Sequence, residues 1–262
     1  MHATSSQIMQ YPMCSGNELR RISSDYVERL AARSEILNDV VDQFLTTALT
    51  QREYTRSVAY TIVLMLNSFH KQNPNKNLGK ALWQKFCGDV VSYFENYDWK
   101  NANEGNGNDP ETGLVSIDAL ALCALVGDLT SLKLISYHRF KNMTRLLVRQ
   151  VETCLHVECI HTLFSHAAAR ATPEIHPVFL FECIRTVKKR ISHATGPIHR
   201  FPEEVINFET FVRHHLIKRQ AAEFPSFHDK RLNLEDALMA SCANLSVWRC
   251  FGLVNEVQQY HE

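Results

Sequence analysis

The densest run of chemically capable side chains is "CLHVECIHTLFSH", residues 154–166, which holds Cys154, His156, Glu158, Cys159, His161 and His166. Zinc needs Cys, His or carboxylate ligands that converge, and on a helix convergence means ligands about one turn apart. Cys154, Glu158 and His161 have that spacing and are the candidate metal ligands. Glu158 and His161 also form the Glu-x-x-His pair used in carboxylate-bridged di-iron bundles. Such bundles require a second matched pair, and no other helix supplies one. The His-Glu-x-x-His signature is absent, because Glu158 follows His156 by two positions. The spacing therefore predicts a core-facing helix with partly exposed histidines, and metal or thiol chemistry centred on Cys154–His166 is the alternative. No cofactor is predicted.

A second cluster is basic. Arg185, Lys189, Arg213, Lys218 and Arg219 fall on consecutive helical patterns across residues 185–219. Aligned on neighbouring helices they would make a groove for phosphate or an acidic protein, although such faces are more often simply solvated. The whole chain carries 28 Lys plus Arg against 28 Asp plus Glu, so its formal charge is zero. Nucleic-acid binding rests largely on phosphate contacts and normally leaves a basic excess. Neutrality disfavours it. Walker A, the dinucleotide Gly-rich fingerprint and the Gly-x-Ser-x-Gly elbow do not occur, so the reading favours a non-catalytic protein.

The elements that must position these residues are helices. Leu19, Ile22, Tyr26 and Leu30 recur at threes and fours, as do Leu82, Phe86, Val90 and Phe94. That spacing places them on one helical face. No stretch alternates at period two between turn signals. The expectation is an all-α chain of about ten helices in antiparallel pairs. Residues 1–16 read as a mobile tail and 17–95 as an N-terminal helical region. The Asn/Gly/Asp/Pro-rich stretch 96–113 reads as an exposed linker, and 114–262 as a C-terminal helical region. The first 95 residues would form either a separate bundle or a layer packed on the C-terminal helices.

The amino end lacks a basic start followed by an apolar core, and no apolar run approaches the ~20 residues that span a bilayer. With eight cysteines set mostly among apolar residues, these features predict an intracellular protein, cytoplasmic or nuclear, with reduced thiols and no membrane association.

Within the C-terminal region, "DALALCALVGDLTSLKLI" (118–135) stands out. Asp118, Ala119, Leu120, Leu122, Cys123, Ala124 and Gly127 are followed by Leu129, Leu132, Leu134 and Ile135. This resembles the two-helix core of an ankyrin repeat, with Gly127 as the stop between helices. "EDALMASCAN", with Asp236, Ala237, Leu238, Ala240, Ser241 and Cys242, partly repeats the opening within 235–259. The Thr-Pro dipeptide of that family is missing. The resemblance implies a degenerate ankyrin-like α-solenoid; another α-solenoid or an irregular helical bundle fits the same pattern. An ankyrin-like array implies a protein-binding scaffold whose partner the sequence does not name. An array without polar capping helices would also be prone to self-association.

Overall fold

The computed structural model describes residues 16–71, 76–102, 117–168, 175, 177–191 and 205–214. All regular structure among them is helical. In chain order the helices are α1 (Gly16–Ala32), α2 (Leu37–Thr50), α3 (Thr55–Lys71), α4 (Lys76–Asn96), α5 (Ala119–Ser131), α6 (Tyr137–Arg149), α7 (Cys154–Ala167) and α8 (Pro177–Ile191). A ninth, α9, spans 205–214. Single 3-10 turns precede α2 and α3, and another, Trp99–Asn101, follows α4.

The organising element is α5. An α-helix apolar on every side must be surrounded, and every residue of α5 except Leu120 is buried. It packs most extensively on α7 and also touches α2, α3, α4 and α6. One hydrophobic cluster runs from Leu19 in α1 through α5 to Val212 in α9. The helices before and after the Asn/Gly-rich stretch thus share a core. The Asp118 N–H also donates to the Leu49 carbonyl at 2.9 Å, joining the start of α5 to the end of α2.

Two local readings change. Gly127 does not end a helix. α5 continues through it to Ser131, and the glycine marks the closest approach to α7. A Cβ there would lie 2.6 Å from both the His166 Cβ and the Leu163 carbonyl oxygen. The chain reverses after Ser131 instead. Lys133 adopts φ 60°, its N–H donates to the Thr130 carbonyl at 3.0 Å, and the Leu134 N–H donates to the Leu129 carbonyl at 2.9 Å. This pair of bonds is a Schellman ending that satisfies the last carbonyls of α5. Ser136 then caps α6, accepting from the Arg139 N–H at 3.3 Å.

The second change concerns the stretch read as exposed linker. Trp99 and Ala102 are buried. The Trp99 indole donates to the Phe94 carbonyl at 3.0 Å, and its ring packs against Phe94 and Tyr97 at centroid distances of 4.9 and 4.5 Å. Residues 103–116 lie outside the described residues.

Candidate functional site

The helix that carries the Cys/His/Glu run, α7, starts where Thr153 meets His156. The Thr153 N–H donates to His156 Nδ1 at 3.2 Å, and the Thr153 hydroxyl lies 2.7 Å from the same nitrogen. The other ring nitrogen, Nε2, bonds the Trp99 carbonyl. A carbonyl only accepts, so Nε2 carries the proton and Nδ1 is the acceptor. Both ring nitrogens are committed and the side chain is fully buried. His156 is a neutral structural pin joining α7 to the turn after α4. Burial holds its pKa below the ordinary imidazole value, with neighbouring hydrogen bonds and Glu152 opposing.

The candidate ligands Cys154, Glu158 and His161 lie along one partly exposed stripe of α7. His161 packs against the rings of Phe211 and Phe208 on α9, at 5.4 and 6.4 Å. Burial and the Arg52 charge both lower its pKa. Among the described residues no three His, Cys, Asp or Glu side chains converge on a metal-sized point.

The two lowered histidines make stability depend on pH. An imidazole whose folded pKa is depressed binds its proton more readily when unfolded, so stability is full above the unfolded value of 6.5 and declines below it. The expected decline is at most about 1.4 kcal/mol per pH unit for each histidine. Denaturant titrations over a pH series should show it, and His156→Gln should flatten the slope.

The cysteines are equally committed to packing. Cys87, Cys123, Cys159 and Cys183 are buried and unpaired by disulfides, and only Cys154 among the described five is partly exposed. Burial pushes the Cys87 and Cys183 thiols up to about 12 from 9.0, which cuts their thiolate population by about a thousandfold. Cys123, in contact with Cys159, is raised by burial first and by that thiol second. Cys123 and Cys159 line the α5–α7 seam, where small side chains permit close packing. Alkylation of the native protein, read by peptide mass spectrometry, should therefore modify Cys154 first among these five. The other four should react only on unfolding.

One polar cluster went unread in the sequence. Asp128, on α5 beside Gly127, is 2% exposed. Its Oδ1 takes the Arg56 Nε–H at 3.0 Å. Its Oδ2 accepts from the Thr55 hydroxyl at 3.5 Å and lies 3.0 Å from His166 Nδ1. The last approach is an ion-pair distance without hydrogen-bond geometry. Beside it, Arg52 Nη2 donates to the Thr162 hydroxyl at 3.3 Å. The cluster ties the start of α3 to α5 and the end of α7. A carboxylate within a leucine-rich helix looks like surface charge in sequence; only the α3 and α7 partners reveal its use.

The basic patch is placed differently from its sequence grouping. Arg185 and Lys189 lie on α8 and Arg213 on α9, while Lys218 and Arg219 fall outside the described residues. On the α9 side the charge is partly answered: Glu209 takes Lys188 at 2.8 Å and Arg213 at 3.4 Å. On its other side α8 packs beside α6.

Comparison of the chain with protein-family models, with curated proteins and with solved structures gives no match. No helix among the described residues is long and apolar enough to cross a membrane.

Proposed function

We propose that the protein is a non-catalytic scaffold that binds other proteins through the outer surfaces of its packed helices. One observation carries this reading: the side chains best suited to chemistry are used up in packing. His156 has both nitrogens bonded within the fold, Cys123 and Cys159 are sealed in the α5–α7 seam, and Asp128 is neutralised by Arg56. Large apolar side chains meanwhile remain exposed on outer helices, including Phe181 and Val178 at 56% each and Ile206 at 59%. Isolated exposed apolar residues are common, but apolar residues bordered by charge fit a recognition surface. The ankyrin-like arrangement of the C-terminal helices belongs to the same proposal. The residues that carry the likeness, 118–136, form one helix, α5, and the turn after it, and the partial echo at 235–259 lies outside the described residues.

The test is affinity purification of the tagged full chain after cross-linking, followed by sedimentation of the eluted species and metal analysis. A scaffold gives a discrete heteromeric complex. A monomer that turns over small substrates, or stoichiometric zinc or iron lost in Cys154→Ser and His161→Ala, would overturn the reading.

A further inference from the structure

The chain is neutral overall, but its cations are not evenly spread. α6 carries Arg139, Lys141, Arg145 and Arg149 and no carboxylate at all. α8, packed alongside, carries Arg185, Lys188, Lys189 and Arg190 against Glu182 alone. The rest of the chain must hold the compensating negative charge. Part of this positive charge is built into the α6–α8 joint. Lys141 Nζ sits over the Phe179 ring at 5.6 Å and Arg145 Cζ over the same ring at 5.7 Å. Cations held over an aromatic face are oriented, and of these two Arg145 is exposed and Lys141 half-buried. Arg139 approaches Glu95 at 3.9 Å, with both side chains about half exposed, and Lys188 takes Glu209.

The exposed line of α8 is graded. Val178, Phe181, Arg185 and Lys189 follow one another at spacings of three and four, and each is exposed. They therefore share one helical face, apolar at its start and cationic at its end. Across the joint, the exposed residues His138, Asn142, Arg145 and Arg149 form the matching line on α6.

We infer that the α6–α8 face binds an acidic, amphipathic segment of a partner protein, its carboxylates on Arg145, Arg149 and Arg185 and its apolar side chains on Val178 and Phe181. This inference rests on the scaffold reading and gives it a surface. The charge favours an acidic partner, and the apolar end selects the class. A nucleic acid presents phosphate along its whole length, and the negative remainder of this neutral chain opposes a long polyanion. A short acidic segment is screened from that remainder beyond about 8 Å at physiological salt. Two apolar side chains are also too few to hold a membrane, where binding scales with buried apolar area.

The test is fluorescence anisotropy of the full chain with a labelled amphipathic peptide, glutamates on one helical face and leucines on the other. A DNA duplex and phosphatidylserine vesicles serve as competing probes. Saturable, salt-sensitive peptide binding is expected. Arg149→Glu and Arg185→Glu should each weaken it about tenfold, and Phe181→Ser should weaken it with little change in salt dependence. Lys80→Glu, on the exposed side of α4, should leave it unchanged, and circular dichroism should report all four variants as folded. Absence of peptide binding, equal binding by the reversed variants, or preference for DNA or vesicles would overturn the inference. If a co-purified partner stays bound to Arg149→Glu and Arg185→Glu, this face is wrong and the scaffold reading stands. If no partner is retained by the unmodified chain, the scaffold reading itself falls.

Discussion

Asp128→Ala is expected to lower the unfolding free energy by about 3 kcal/mol, within the range for breaking a buried ion pair. Asp128 is almost fully buried, and its carboxylate is the shared acceptor for Arg56 and Thr55, with His166 at ion-pair distance. Removing it takes the Asp128 carboxylate away from the Arg56 guanidinium, 18% exposed, beside an apolar seam. That partial exposure places the cost at the lower end of the range. Asn keeps the shape and one acceptor for Arg56, so Asp128→Asn should cost distinctly less. Replacing both members, Asp128→Leu with Arg56→Met, should recover part of the loss, because two apolar side chains need no mutual compensation. Denaturant unfolding of the three variants reads all of this. A single Asp128→Ala within 0.5 kcal/mol of the parent, roughly the scatter of neutral surface changes, would show that the cluster contributes little.

Gly127→Ala should also be strongly destabilising, by about 2 kcal/mol, even though alanine is the better helix former. The added Cβ would meet backbone, the Leu163 carbonyl at 2.6 Å and the Ala167 nitrogen at 3.0 Å, so α5 and α7 must separate. Backbone cannot rotate aside as a side-chain tip can. Gly88 in α4 is the internal control: a Cβ there meets nothing within 4 Å. Gly88→Ala should raise stability by about 1 kcal/mol through helix propensity alone. The same substitution in two helices of one protein is thus expected to act in opposite directions. Thermal and denaturant melts of both variants check it.

These two residues also show what the amino-acid order could and could not reveal. The inner faces of α1 and α4 were legible, because Leu19–Leu30 and Leu82–Phe94 repeat at helical spacing and those residues are buried. The helical class followed from the same periodicity. Gly127 misled because glycine has two uses in helices, a left-handed stop and a close approach, and only the neighbouring helix distinguishes them. The start signal of α6, Ser136, was an ordinary N-cap residue that the apparent break at Gly127 obscured. Trp99 sat in an Asn-rich stretch whose composition argued for exposure, while its indole and carbonyl were both committed to the fold.

The candidate site was legible as a helix face and no further. Cys154, Glu158 and His161 do share a stripe of α7, but the rings that face His161 come from α9, many residues away. The cations of α6 and α8 were each legible in the sequence, but their packing side by side was not, because all of α7 separates the two helices and they meet only in the fold. Charge clustering across a helix-helix joint leaves no local signal.

If the protein is the scaffold proposed, α7 builds the core with α5 and recognition belongs to the outer helices. Differential hydrogen exchange on the full chain, alone and in complex with the partner isolated by cross-linking, tests it most directly. Added protection is expected to be confined to α6 and α8, with the slow exchange of α5 and α7 unchanged. Protection or deprotection centred on Cys154–His166, with α6 and α8 unaffected, would contradict it.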